Sequence, residues 1–225
     1  KDLKIKKGDN PEWKEKQFDD SSWEPLKSYY SSNDTGQWWI RTEVNIDKLT
    51  SQHKLVTIHC MRFFSAYQVF WDGVKIGDNG QYGANKLEEE VGIFRFPLTL
   101  DKNELSAGKH TIAIRLSNFH AKSNISAAKI LFGDFFEWTK KLGSYFVIYY
   151  GVIAILLFTL LMNLFLLFFT KDKIISFLLV LLSFFTLVNQ VFINLWLVVD
   201  LPTTYVETQD FVNIATIFAI TILFP

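Results

Sequence analysis

Apolar and polar positions follow two different patterns along this chain. Over roughly the first 140 residues the period is two. Trp38, Ile40, Thr42, Val44 and Ile46 interleave with Trp39, Arg41, Glu43 and Asn45, and Ile112, Ile114 and Leu116 interleave with Thr111, Ala113, Arg115 and Ser117. Phe94, Phe96, Leu98 and Leu100 also fall on alternate positions, and Leu55–Met61 is an apolar run of strand length. Alternation places successive side chains on opposite faces of a strand. Val69-Phe70-Trp71 and Val74-Lys75-Ile76 flank Asp72-Gly73. An Asp-Gly pair between two apolar runs predicts a hairpin, because a type I′ turn needs positive φ at both positions. Gly77-Asp78-Asn79-Gly80 and Ser106-Ala107-Gly108 read as further turns. Short strands, frequent turns and no long helical pattern predict an all-β antiparallel sandwich.

From Gly143 the pattern changes. Tyr145–Phe169 is 25 residues without a charge, and Ile174–Val199 is 26. A hydrocarbon core about 30 Å thick needs roughly 20 apolar residues in a helix, so both runs are expected to span a membrane. A third apolar run, 211–225, is too short to cross as given. Asp134, three residues before Glu137, has the spacing of a capping box and predicts a helix from Phe135. That helix either runs on into the first span or breaks at Gly143, and the pattern leaves both open. The expected division is a β-sandwich over 1–133 and a helical membrane part over 134–225. The chain starts at Lys1 and stops inside an apolar run, and both ends read as cuts in a longer protein.

Charge sharpens the contrast between the halves. Residues 1–142 hold 21 of the 23 Lys and Arg and 19 of the 23 Asp and Glu. That near balance argues against a nucleic-acid partner. The single cysteine, Cys60, has no partner for an internal disulfide and reads as a small core residue. His53, His59, His110 and His120 show no metal-ligand spacing, and there is no G-x-S-x-G motif or phosphate loop. No catalytic residue, metal or cofactor is therefore assigned. Glu88-Glu89-Glu90 reads as a solvated loop, since paired catalytic carboxylates come from separate elements.

The loop between the two spans carries Lys171 and Lys173, which places it on the cytoplasmic side. The segment after the second span carries Asp200, Glu207 and Asp210 and no Lys or Arg, so it and the N-terminal domain are expected outside. Lys140 and Lys141 are discounted, because a folded domain translocates largely regardless of charge. Trp138, Tyr145, Tyr149 and Tyr150 beside the first span, and Trp196 beside the second, suit an interfacial aromatic belt.

Four stretches carry a resemblance. Phe18-Asp19-Asp20-Ser21-Ser22-Trp23 is similar to the opening motif of galactose-binding-like jelly rolls, including the sugar-binding domains of family 2 glycoside hydrolases. Trp38-Trp39-Ile40-Arg41 resembles the aromatic-aromatic-x-Arg of their next strand. The hairpin Val69 to Gly77 resembles theirs, with Asp72 where Asn is usual, and Leu105 to Arg115 resembles a further strand, with His110 where Asn is usual. Followed by Gly151, Leu160-Leu161-Met162-Asn163-Leu164-Phe165-Leu166, a short charged loop and a second apolar run, the whole looks like the bacterial seven-transmembrane receptors with diverse intracellular signalling modules. The resemblance implies a multi-pass protein of the bacterial cytoplasmic membrane. Its external jelly roll would sense a ligand, a carbohydrate being one class, and signal to a cytoplasmic output domain. Alternatives are a membrane-anchored glycan-binding or adhesion protein, or an accessory domain of a membrane-bound glycan enzyme. The partners expected are the lipid bilayer, a small-molecule or carbohydrate ligand and, as a further option, a second copy of the chain.

Sugar recognition uses aromatic faces beside amide and carboxylate groups. Two loops have those types, Gln81-Tyr82-Gly83-Ala84-Asn85 and Asn118-Phe119-His120-Ala121-Lys122-Ser123-Asn124. The candidate ligand-binding residues are Tyr82, Asn85, Asn118, His120 and Asn124. Trp23 and Trp71 are assigned to packing. Alternation puts Trp38 and Trp39 on opposite faces, so at most one is expected in a core. Asn163, Asn189, Gln190 and Asn194 lie in apolar runs and are expected to bond between helices.

Overall fold

Nine strands form among the described residues, six of them on the runs noted above, while Phe94 and Phe96 lie outside those residues. The computed structural model describes residues 3–26, 35–47, 55–61, 63, 66–93, 97–101, 104–120, 129–195, 199, 201, 212–214 and 216–217. The chain divides into two compact units, with the boundary between Trp138 and Thr139.

In the first unit, strands β1 (Lys4–Lys7), β2 (Glu24–Pro25), β3 (Gln37–Ile46), β5 (Ala66–Trp71), β6 (Val74–Asn79) and β8 (Gly108–Ser117) form a six-stranded sheet in the order β2-β1-β3-β8-β5-β6. Strands β7 (Pro97–Asp101), β4 (Leu55–Met61) and β9 (Lys129–Asp134) form a three-stranded sheet in the order β7-β4-β9. Every pairing is antiparallel. The expected hairpin joins β5 to β6, and Asp72 (φ 48°) and Gly73 (φ 88°) both take the left-handed conformation that its turn requires.

Between the sheets lies one core. Ile5, Ile40, Ile112 and Ile114 from the large sheet share it with Val56, Ile58, Leu98 and Leu100 from the small one. Cys60 is in this core, and burial pushes its thiol up to about 12, which suits a packing residue rather than a nucleophile. Trp23 and Trp71 are both buried, as assigned.

The other face of the large sheet is buried as well, which corrects the expectation for Trp38 and Trp39. Both are 1% exposed. Trp38 belongs to the inter-sheet core, whereas Trp39 packs with Trp23, Phe70 and Ala113 on the opposite face. That face is covered by Trp13 and Phe18 from the segment between β1 and β2. Alternation predicts opposite faces correctly but says nothing of whether the second face is covered.

Asp134 caps the following helix as its spacing predicts: its Oδ1 accepts from the backbone N–H of Phe136 and of Glu137, both at 2.9 Å. Helix α1 (Phe135–Phe169) runs through Gly143 without a break, and α2 covers Lys173–Asn194. Both are long and apolar enough to cross a membrane, by length and composition. Within the second unit, Asn163 donates to the Ser183 hydroxyl at 3.2 Å, and Asn189 donates to Asn213 at 3.0 Å and to Thr216 at 3.2 Å. Asn194 instead bonds the Gln190 carbonyl of its own helix. Most of the third apolar run, and Trp196, lie outside the described residues.

Candidate functional site

The loop after β6 and the loop after β8 meet at one end of the large sheet. Gln81 and Glu90 pair through their backbones and close the first loop into a hairpin-like tip. Asn85 holds that tip. Its Oδ1 accepts from Leu87 N at 2.9 Å and its Nδ2 donates to Glu88 Oε1 at 2.6 Å. Gly83 is needed for the close fit, because a Cβ there would lie 2.5 Å from Glu89 N. Gly83 N donates to Ser117 Oγ at 3.2 Å, tying the loop to the last residue of β8.

Glu89 departs from the solvated-loop expectation. Glu88 and Glu90 are exposed, but the Glu89 side chain is 0% exposed. Its carboxylate accepts from Phe119 N at 3.0 Å and His120 N at 3.1 Å, and His120 Nδ1 lies 3.3 Å away. An ionised group is buried only with such compensation. The middle residue of the acidic run therefore anchors the second loop, and His120 remains at its half-exposed rim.

The sequence candidates thus separate. Tyr82 lies under the guanidinium of Arg115, 4.0 Å from ring centroid to Cζ, and burial pushes its phenol up to about 12. Asn118 is buried, and its Oδ1 accepts from Gly36 N at 2.8 Å and Trp38 Nε1 at 3.2 Å. It positions a backbone and an indole. Asn85 shapes a turn, and Asn124 lies outside the described residues.

Behind Tyr82, Arg115 donates to both oxygens of Asp9, and Trp39 Nε1 donates to Asp9 at 3.2 Å. Burial alone would raise the Asp9 carboxyl, but the Arg115 and Trp39 hydrogen bonds outweigh it and hold it below the usual carboxylate range.

Asn118 also leads to a cleft. A cavity of about 300 Å³ lies beside β1. It is lined by Ile5, Lys6, Lys7, Ser22, Trp23, Glu24 and Trp38. That volume is at the lower end of small-molecule sites. The Lys6 ammonium lies 5.1 Å from the Trp13 ring and the Lys7 ammonium 5.0 Å from the Trp38 ring, within cation–π reach. Trp23 is 5% exposed, yet its indole N–H has no acceptor among the described residues. A buried donor without a partner costs roughly 1–3 kcal/mol. Trp23 and Trp38 carried sequence signals, though as core residues. Ser22 lies in the Phe18–Trp23 motif, but nothing local marks Lys6, Lys7 or Glu24, because strand pairing alone brings β1 beside β2 and β3.

Another constellation has the residue types of a catalytic triad. His110 Nδ1 lies 2.7 Å from Asp72 Oδ2, and His110 Nε2 lies 3.3 Å from Ser106 Oγ. The nearer neighbour of Nε2 is the Ser106 carbonyl oxygen at 2.8 Å. A carbonyl only accepts, so Nε2 is occupied as a donor and is not placed to take a proton from Oγ. The ring is also stacked on Trp71 at 4.8 Å. The cluster ties the hairpin turn to the start of β8.

Comparison with known proteins adds a distant likeness. No family model matches the chain, and no curated protein matches it. Among solved structures, it is similar to a glycosyl hydrolase family 2 member from Bacteroides cellulosilyticus, at 15% identity over 59% of this chain and 19% of that one, with a TM-score of 0.43. It is similar to a β-glycosidase from Bacteroides vulgatus at 21% identity, 59% and 19% coverage and a TM-score of 0.41. It is also similar to β-glucuronidase 2 from Bacteroides uniformis at 15% identity, 59% and 17% coverage and a TM-score of 0.42. The chain spans about a fifth of the length of the first of these. The structural neighbours are thus domains of family 2 glycoside hydrolases, and they lend no support to the resemblance to seven-transmembrane receptors. At these TM-scores the likeness carries no argument, and the β-sandwich stands on its strand order and core.

Proposed function

We propose that this chain is a membrane-anchored glycan-binding protein, with a jelly-roll β-sandwich of the galactose-binding-like kind as the binding module. The observation that carries the reading is the cleft beside β1. Its Lys, Ser and Glu residues are of types that hydrogen-bond a sugar, and they stand beside the edges of two buried tryptophans. Membrane anchoring is supported by the apolar surface of the helices. Ile155, Phe158 and Phe168 of α1 and Ile175 and Phe177 of α2 are exposed in quantity that water does not tolerate over two adjoining helices. The lysines at 171 and 173 favour the cytoplasmic side for the connecting loop and the outer side for the sandwich.

The test is saccharide binding by the full chain in lipid nanodiscs, with Ser22→Trp as the blocked control. Ser22 is exposed, so added bulk obstructs the cleft without entering the core. Wild-type binding to part of a neutral and acidic oligosaccharide panel, lost in Ser22→Trp at unchanged melting temperature, supports the reading. Equal binding by both proteins overturns it.

One observation favours a second reading, a signalling receptor. No residue separates β9, ending at Asp134, from α1, starting at Phe135. A ligand that binds two states of the sandwich differently would then act on α1 without an intervening linker. Hydrogen exchange with and without saccharide discriminates: protection changes reaching α1 favour a receptor, and changes confined to the sandwich favour an anchored binder.

A further inference from the structure

Helix α1 is longer than a hydrocarbon core requires. From Leu142 to Phe169 it runs 28 residues without a charge. At about 1.5 Å per residue that is about 42 Å, against about 30 Å for the hydrocarbon core and about 40–45 Å with the headgroup layers included. The structure makes this length count, because α1 passes through Gly143 without a break. A break there would leave the depth of Lys140 and Lys141 undefined. An unbroken helix tilted by about 20° still spans about 40 Å, so both of its ends reach headgroup layers. The two ends use their lysines differently. At the C-terminal end Lys173 is spent on the helix itself, its ammonium donating to the carbonyls of Leu167 at 2.7 Å and Phe168 at 3.0 Å. Lys171 stands beside Asp172, so that loop offers a cation offset by an acid. At the N-terminal end Lys140 and Lys141 are both exposed, and neither makes an ion pair among the described residues. Glu137 lies one turn before Lys141 and does not pair with it. Tyr145 lies one turn after Lys141 on the same helix face and is 53% exposed.

We propose that Lys140, Lys141 and Tyr145 form a binding site for the headgroup of an anionic phospholipid. The inference rests on the membrane-anchoring part of the reading above and does not need the saccharide part. On a helix in water, two exposed lysines are simply solvated. Here the uncharged run that follows fixes their depth at the level of lipid phosphates. The two flexible stems bring both ammonium groups to one phosphate. The Tyr145 phenol, one turn deeper, donates to a phosphate or glycerol oxygen. Val147 and Ile148, both exposed, meet the acyl chains below. Glu137, one turn farther from the apolar run, repels a phosphate placed above the lysines and so favours the one on the membrane side. A zwitterionic headgroup carries its own cation beside the phosphate and gains less from the pair.

The experiment reconstitutes the full chain in nanodiscs holding equal amounts of phosphatidylglycerol and phosphatidylcholine, releases it into a mass spectrometer and counts the lipids it retains. The expected result is retention of phosphatidylglycerol over phosphatidylcholine by about twentyfold. Lys140→Gln and Lys141→Gln should each cut that preference about fivefold, the weight of one lysine in the headgroup layer, and the double variant should abolish it. All three site residues are exposed, so the fold is not at stake. Tyr145→Phe should weaken both lipids about threefold, because both carry the phosphate that the phenol meets. Lys171→Gln should leave the preference unchanged. Equal retention of the two lipids by the wild type overturns this inference and leaves membrane anchoring standing. A preference lost in Lys171→Gln but kept in the double variant overturns it in favour of the connecting loop. Displacement of phosphatidylglycerol by inorganic phosphate at equal concentration overturns it in favour of a site for free anions. Failure of the chain to float with liposomes overturns the membrane-anchoring reading itself.

Discussion

One face of the six-stranded sheet packs against β4, β7 and β9 through Ile, Val and Leu side chains joined by Trp38, Tyr67 and Trp71, whereas the other is covered by residues of the segment between β1 and β2. The first cover is a second sheet. The second has no regular element longer than the turn Pro11–Lys14 and is built from Trp13, Phe18, Trp23, Trp39 and Phe70. Aliphatic side chains ask nothing of their neighbours except shape. Indoles and a guanidinium must also place their N–H groups. Arg41 is 2% exposed and lies among these rings. Its guanidinium donates to Asp20 at 3.1 Å and to the carbonyls of Trp13 and Phe18, so one side chain fixes the path of the covering segment. The inner face is thus held mainly by volume, with the Trp38 and Trp71 indoles bonded at its margin, and the outer face by a buried guanidinium inside an aromatic setting.

The comparison breaks first at Arg41. Arg41→Ala leaves Asp20 to Lys4 alone and frees two carbonyls, and should cost about 1.5–3 kcal/mol in denaturant unfolding. A loss below about 1 kcal/mol would mean that the rings alone hold the segment. On the inner face, Ile114→Val removes one methylene from a fully buried position and should cost about 0.5–1.5 kcal/mol. Equal losses for the two variants would erase the distinction between the faces.

The hairpin end offers a finer test. Asp72 accepts from Thr111 N at 2.8 Å and pairs with Lys16 and His110, so the turn and the start of β8 share one polar cluster. A double-mutant cycle of Asp72→Asn and His110→Asn should return a coupling of about 0.5–1 kcal/mol, and a coupling of zero would make the two replacements independent.

Acid should loosen the outer face. Burial raises the Asp9 and Asp72 carboxyls, but hydrogen bonds from Arg115 and Trp39 to Asp9, and from Lys16, Thr111 and His110 to Asp72, more than offset it. Both native values lie below the ordinary one. Their contribution to stability is complete above the unfolded-chain value near 4 and is lost as pH falls below it through the native values. Hydrogen exchange at decreasing pH should show residues 9–23 losing protection before β4 and β8. Simultaneous loss would assign acid sensitivity to the whole sandwich. The smallest effect is expected in the helices, where Asn163→Leu removes the bond to Ser183 and should cost about 0.6 kcal/mol by thermal unfolding in detergent.

Much of the fold was legible in the sequence because its signals are local. A two-residue period specifies a strand whatever surrounds it, Asp72-Gly73 specifies a turn by its own φ angles, and Asp134 caps its helix from three residues away. The uncharged runs in α1 and α2 are equally plain, since the apolar character of each helix is written along its length. What covers a face is not local. Alternation put Trp38 and Trp39 on opposite sides but could not tell that both sides are buried, because the cover for Trp39 comes from Trp13 and Phe18, more than 20 residues away. Glu89 has the same lesson. Within an acidic run it looks like its neighbours, and only the two backbone N–H groups delivered by Phe119 and His120 compensate its burial. The candidate loops were likewise found by residue type, and they do meet, but two of their polar groups face inward to hold the structure. The cleft was invisible, since its residues come from β1, from the approach to β2 and from the start of β3, and share no pattern until strand pairing sets them side by side. Period and composition determined which segments become strands and helices. Long-range packing decided which polar side chains are spent on the fold and which are left for a ligand, because a buried hydrogen-bonding group is defined by its partner and not by its neighbours in the chain.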